Sequence, residues 1–177
     1  MTENKPAYTQ SGWKLTELFE SFADPALSQA YQDLEARVEK LVSQRGELKP
    51  EISAEKFLQL LQELENVNKI AYRLYGFSSL SFAANTQDQA AQTNIARFQQ
   101  FAAEMENRVL FFSLWWKALD DENAARLMES SGDYRYWLEQ MRNFKPYTLS
   151  EPEEKVINIK NVTGASALEM LYDSITN

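Results

Sequence analysis

The chain has 177 residues, 18 basic and 26 acidic side chains, a net charge of −8, and neither cysteine nor histidine. That length suits one domain with a substantial core, and 44% hydrophobic with 25% charged residues is ordinary globular composition, away from disorder. Without Cys there is no disulfide, thiolate nucleophile or zinc–thiolate site; without His there is no Ser-His-Asp device, no H-E-x-x-H zinc helix and no E-x-x-H di-iron pair.

The acidic balance, with no Lys/Arg block to offset it, argues against nucleic acid as a partner. Residues 1–11 are polar, lack the apolar stretch of a signal peptide, and read as a flexible N-terminal tail. The longest charge-free apolar run, Val109 to Trp116, is far below the ~20 residues that span a bilayer, so a soluble, cytoplasmic chain with no membrane partner is expected. Only 5 Gly and 5 Pro favour a few long elements over many short strands.

In chain order, Trp13, Leu15, Leu18, Phe19 and Phe22 have helical spacing in a short segment that ends at Asp24-Pro25. Asp can cap a helix there and Pro suits its first turn. From that point Leu27, Tyr31, Leu34, Val38 and Leu41 form one apolar stripe on a helix to about Gly46. Ser53 can cap the next, where Phe57, Leu60, Leu64, Val67, Ala71 and Leu74 continue the pattern to about Asn85, with Gly76 a point of bending. Thr86-Gln87-Asp88-Gln89 reads as a capping box.

The helix after it carries Ile95, Phe98, Ala102, Met105, Val109, Phe112, Trp116 and Leu119, widened by Phe101, Phe111 and Trp115, and is expected to pack centrally. Asp120-Asp121-Glu122 starts a shorter helix, and a turn over Ser130 to Gly132 leads into another marked by Tyr134, Trp137, Leu138 and Met141, which Pro146 ends. Ser150-Glu151-Pro152-Glu153 is a second capping box, and the helix from it is expected to bury Val156, Ile157 and Ile159 before loosening near Thr163-Gly164. Ala167, Leu168, Leu171 and Ile175 form the last apolar stripe. No period-2 strand is evident. The expectation is a single all-α domain over 1–177, built of long antiparallel helices packed as a bundle.

The aromatic pairs Phe111-Phe112 and Trp115-Trp116 read either as core or as the lining of a groove, and their heptad spacing favours core. Adjacent Trp115 and Trp116 point about 100° apart on a helix, so one of them must meet a second neighbour or an interface. The acidic clusters at Asp120–Glu122 and Glu151–Glu154 sit at helix starts, where capping explains carboxylates without a metal. Lys40, Arg45, Arg73, Arg97, Arg108, Arg126, Arg135 and Arg142 are scattered, and read as partners of the acids.

Several stretches together carry a resemblance: Trp13-Lys14-Leu15-Thr16-Glu17-Leu18-Phe19; Ala71-Tyr72-Arg73-Leu74-Tyr75-Gly76 with Asn85-Thr86-Gln87-Asp88; and Tyr136-Trp137-Leu138, then Arg142-Asn143-Phe144-Lys145-Pro146-Tyr147-Thr148-Leu149-Ser150-Glu151-Pro152, before Thr163-Gly164-Ala165 and Leu171-Tyr172-Asp173. In this order, from Trp13 to Ile175, they resemble the N-terminal helical region of the oligoendopeptidase F enzymes, in the thimet-like M3 family of zinc metallopeptidases. Where many relatives carry P-H-x-L-S, this chain has Pro146-Tyr147-Thr148-Leu149-Ser150.

The resemblance implies a non-catalytic part of a zinc endopeptidase that hydrolyses short peptides. It implies that zinc and the H-E-x-x-H helix lie in a separate catalytic domain, which would be this chain's partner, and that this chain forms one wall of a substrate channel and gates it. Trp115, Trp116 and Tyr147 are the candidate channel or interface residues, with no catalytic, cofactor or metal-binding residue assigned in this chain and no activity expected of it alone. Homodimerisation of the isolated chain through a face meant for the catalytic domain is a further expectation. The alternative is a free-standing α-helical protein-interaction module.

Overall fold

Asp24 opens the first helix: its carboxylate accepts the Ala26 N–H at 2.8 Å, and Pro25, which has no N–H to satisfy, takes the first position. The computed structural model describes residues 14–176, so the expectations for Trp13 and the 1–11 tail fall outside the described residues. Helix α1 spans Pro25–Ser43; α2, capped by Ser53, spans Ala54–Ala84; and α3 spans Gln89–Ala118. Then come α4 (Asp121–Glu129), α5 (Arg135–Asn143), α6 (Glu151–Thr163) and α7 (Ala165–Thr176). Single 3-10 turns at Arg45–Glu47, Gly132–Tyr134 and Lys145–Tyr147 complete the order, and no strand occurs among the described residues. The all-α expectation therefore holds. Among these residues no helix is long and apolar enough to cross a membrane.

The core is made by α1, α2 and α3, whose apolar stripes meet around Leu34, Val38, Leu61, Leu74 and Trp116, each at most 1% exposed. At one end Phe57, near the start of α2, stacks on Trp116 at 5.3 Å, near the end of α3. At the other, Asn94 donates to Ser78 Oγ at 2.8 Å, both buried. These pairs make α2 antiparallel to α3. Tyr31 against Phe101 and Arg108 on Glu39 place α1 parallel to α3.

Three expectations are corrected. The N-cap of α3 is Asp88 and not Thr86: one Asp88 carboxylate oxygen accepts the N–H groups of both Ala90, at 2.8 Å, and Ala91, at 3.3 Å. An anion at the positive helix end outcompetes a hydroxyl, and Thr86 is instead buried with its carbonyl accepting from Gln92. The segment before Asp24 forms two separate turns, not a helix, closed by Leu18 N–H on the Leu15 carbonyl at 2.9 Å and Asp24 N–H on the Ser21 carbonyl at 3.1 Å. Nucleating so short a helix is costly, and the segment's aromatics are held individually instead, Phe19 and Phe22 edge-on to Phe77 at 5.3 and 5.4 Å.

The third correction concerns α6. Val156, Ile157 and Ile159 are 56%, 41% and 56% exposed, not buried. The face of α6 turned to α3 is its polar one, because Asn107 donates to the Lys155 carbonyl at 3.2 Å and accepts from Asn158 at 2.9 Å. The apolar residues on the other side of the same helix are therefore left facing out. Gly76 leaves α2 uninterrupted.

Candidate functional site

The end of α3 brings Trp115 and Trp116 to opposite fates. Trp116 is fully buried, stacked on Phe57, with its indole N–H donating to the Leu138 carbonyl at 2.9 Å. It fastens α5 to the core and is not available to a ligand or an interface. Arg142 locks the same corner: its guanidinium lies 5.6 Å from the Trp116 ring and donates to the Trp116 and Leu119 carbonyls at 2.8 and 3.0 Å. Those carbonyls belong to the C-terminal turn of α3, where a cation satisfies groups the helix leaves open.

Trp115, one position earlier, is half-buried and lines a groove of about 470 Å³. Leu48, Phe111, Leu114 and Leu149 complete its apolar wall, with Arg45 and Glu151 at the rim. The two rim charges form a fork, Arg45 Nη1 and Nη2 donating to the two Glu151 oxygens at 3.2 and 2.7 Å. Lys155 adds a third bond to Glu151 at 2.7 Å, and the Arg45 guanidinium sits 5.2 Å from the Phe111 ring. Arg45, foremost, and Lys155 hold the Glu151 carboxyl below the usual carboxylate range.

Tyr147, on the Lys145–Tyr147 turn, lies beside this groove in sequence but outside its lining, 78% exposed. Of the three candidate residues the structure thus brings Trp115 to a groove, leaves Tyr147 exposed next to it, and buries Trp116. Arg45, Leu48, Leu149 and Glu151 were not among the candidate residues: Arg45 and Glu151 stand 106 positions apart, and Glu151 is also accounted for as a first-turn acid of α6.

The acidic clusters are engaged locally. Asp120 accepts from Asn123 N–H, which lowers its pKa, and Glu153 takes both the hydroxyl and the N–H of Ser150, which lowers its own. Among the described residues no group of three or more acidic side chains could hold a metal ion. With no His or Cys in the sequence either, the residues present do not fit a zinc centre.

The family model described as oligopeptidase F matches residues 115–177, from Trp115 through α4 to α7. Over that stretch the chain is similar to the N-terminal domain of the oligopeptidase F-like M3 peptidases. No curated protein matches the chain, and no solved structure does. The matched stretch supplies one side of the groove, Trp115, Leu149 and Glu151, while Arg45, Leu48, Phe111 and Leu114 precede it.

Proposed function

We propose that the whole chain serves as the N-terminal, non-catalytic part of an oligoendopeptidase F-like zinc endopeptidase of short peptides, where it walls the substrate channel and gates entry. The observation that carries this reading is the coincidence of the family match with the exposed apolar faces. Within 115–177, α6 and α7 turn Val156, Ile159, Leu168, Leu171 and Ile175 to the outside, each more than half exposed. Faces of that kind are expected on a part that packs against a further body, here the zinc-bearing catalytic domain. Zinc, short peptides and a cytoplasmic location belong to that assembled enzyme. Self-association of the isolated chain follows from the same faces.

The chain alone, incubated with a quenched fluorescent peptide and Zn²⁺, is expected to give no turnover. Chelator-sensitive turnover would overturn the non-catalytic assignment. For the gate, the assembled peptidase is compared with a variant carrying Tyr147→Ala and Trp115→Ala on peptides of increasing length. A change in the length dependence of kcat/KM supports the wall, and unchanged length dependence overturns it.

A further inference from the structure

At the opposite end of the bundle from Trp115, a second cleft of about 280 Å³ opens where α7 lies over the α2–α3 turn. Its chemistry differs from that of the first. Tyr75 and Phe82 supply aromatic surface, Glu169 and Asp173 project from successive turns of α7, and Thr86 lies in the lining. No cation lines this cleft, and the ion pairs among the described residues join other groups.

Thr86 is only 5% exposed; its carbonyl accepts from Gln92 at 2.7 Å, while its hydroxyl takes no bond among the described residues. That hydroxyl belongs to a residue of the cleft lining, so it can accept from a donor that enters from outside. Two carboxylates and one hydroxyl are too few for calcium, which takes six to eight oxygens. They suit instead an organic cation that donates several hydrogen bonds and has a flat face for an aromatic ring. A guanidinium has both properties: five N–H donors in a planar fork, and a surface that stacks on aromatics. At about 280 Å³ the cleft lies at the lower edge of the usual range for ligand sites.

We propose that this cleft binds the arginine side chain of a short peptide, with Glu169 and Asp173 accepting from the guanidinium, Tyr75 flanking it and Thr86 Oγ1 taking a further N–H. The proposal does not rest on the channel reading, because it concerns direct binding by this chain and not turnover. The probe is N-acetyl-argininamide, titrated into the 177-residue protein at low salt and followed by amide chemical shifts. Its neutral isostere, N-acetyl-citrullinamide, is the control.

Saturable shifts at Tyr75, Ser79, Thr86 and 166–173 are expected with the arginine probe, and binding at least tenfold weaker with citrulline. Glu169→Gln with Asp173→Asn, both at exposed positions, should weaken arginine binding at least tenfold without altering the helical spectrum. Thr86→Val, close in shape, should weaken it several-fold. Equal binding of the two probes, no effect of the double variant, or no saturable shift would each overturn the site.

Discussion

At the scale of single residues, the corner that decides the packing is built on Trp116. Its ring fills the space between α2 and α5, and its N–H is the partner of a buried carbonyl. Trp116→Ala is expected to cost about 3–5 kcal/mol, the range for emptying a buried aromatic site. Trp116→Phe keeps most of the ring yet removes the indole hydrogen bond to the Leu138 carbonyl, at about 0.5–1.5 kcal/mol. Urea unfolding checks both: the midpoint should fall in that order with the slope unchanged, and a wild-type midpoint for Trp116→Ala would contradict the burial. Gly76 is the converse. A Cβ there would meet Leu18 Cδ1 at 3.8 Å, ordinary contact, inside an unbroken helix. Gly76→Ala should therefore raise stability by about 0.5–1 kcal/mol, read as a higher thermal midpoint.

At the scale of elements, the attachment of α6 depends on polar bonds rather than on buried apolar area. Arg45 forks onto Glu151 at its first residue, and Asn107 holds its middle. Because the Glu151 pKa is lowered from 4.5 in the folded chain, its contribution is complete above that value and is lost as pH falls through the lowered one. Amide protection in 151–163, corrected for intrinsic exchange, should thus decline on acidification below the ordinary carboxylate range, ahead of that in α2. Arg45→Gln should produce much of the same loss at neutral pH and leave a smaller further decline on acidification, carried by Lys155 on Glu151 and by the Glu153 cap. Protection of α6 that is identical in both proteins at every pH would refute the fork as its anchor.

The same elements show what could be read in advance. Helix α1 was legible because Asp24-Pro25 and a single stripe agree on where it starts and which face it buries. The start of α3 was legible only to within two residues, since Thr86 and Asp88 are both good caps and the charged one takes the open N–H groups. On α6 the pattern was misleading: an apolar face usually points to the core, and here the polar face does, through Asn107. The rim of the groove was not legible, because pairing residues 106 apart depends on how α1, α3 and α6 pack.

At the scale of the whole molecule, the chain divides by what each helix buries. Between them α1 to α3 hold most of the core, whereas α6 and α7 contribute no buried residue and present Leu168, Leu171, Tyr172 and Ile175 at 56–74% exposure. α7 touches the bundle through Met170, half-buried against Phe82 and Ile95, so the residues next to it are turned away from the core by helix geometry. Water in contact with that much apolar side chain favours any partner able to cover it, and for the isolated chain at high concentration the available partner is another copy. The mass from multi-angle light scattering should therefore rise with concentration. Leu168→Glu with Leu171→Glu should hold it at the monomer value, and the melting point should barely move, since substitutions at exposed positions stay within about 0.5 kcal/mol. A wild-type mass independent of concentration would show that these faces do not self-associate. A double variant that associates like the wild type would move the interface to another surface, with the Tyr136, Phe144 and Tyr147 side chains at 64–78% exposure the next to substitute.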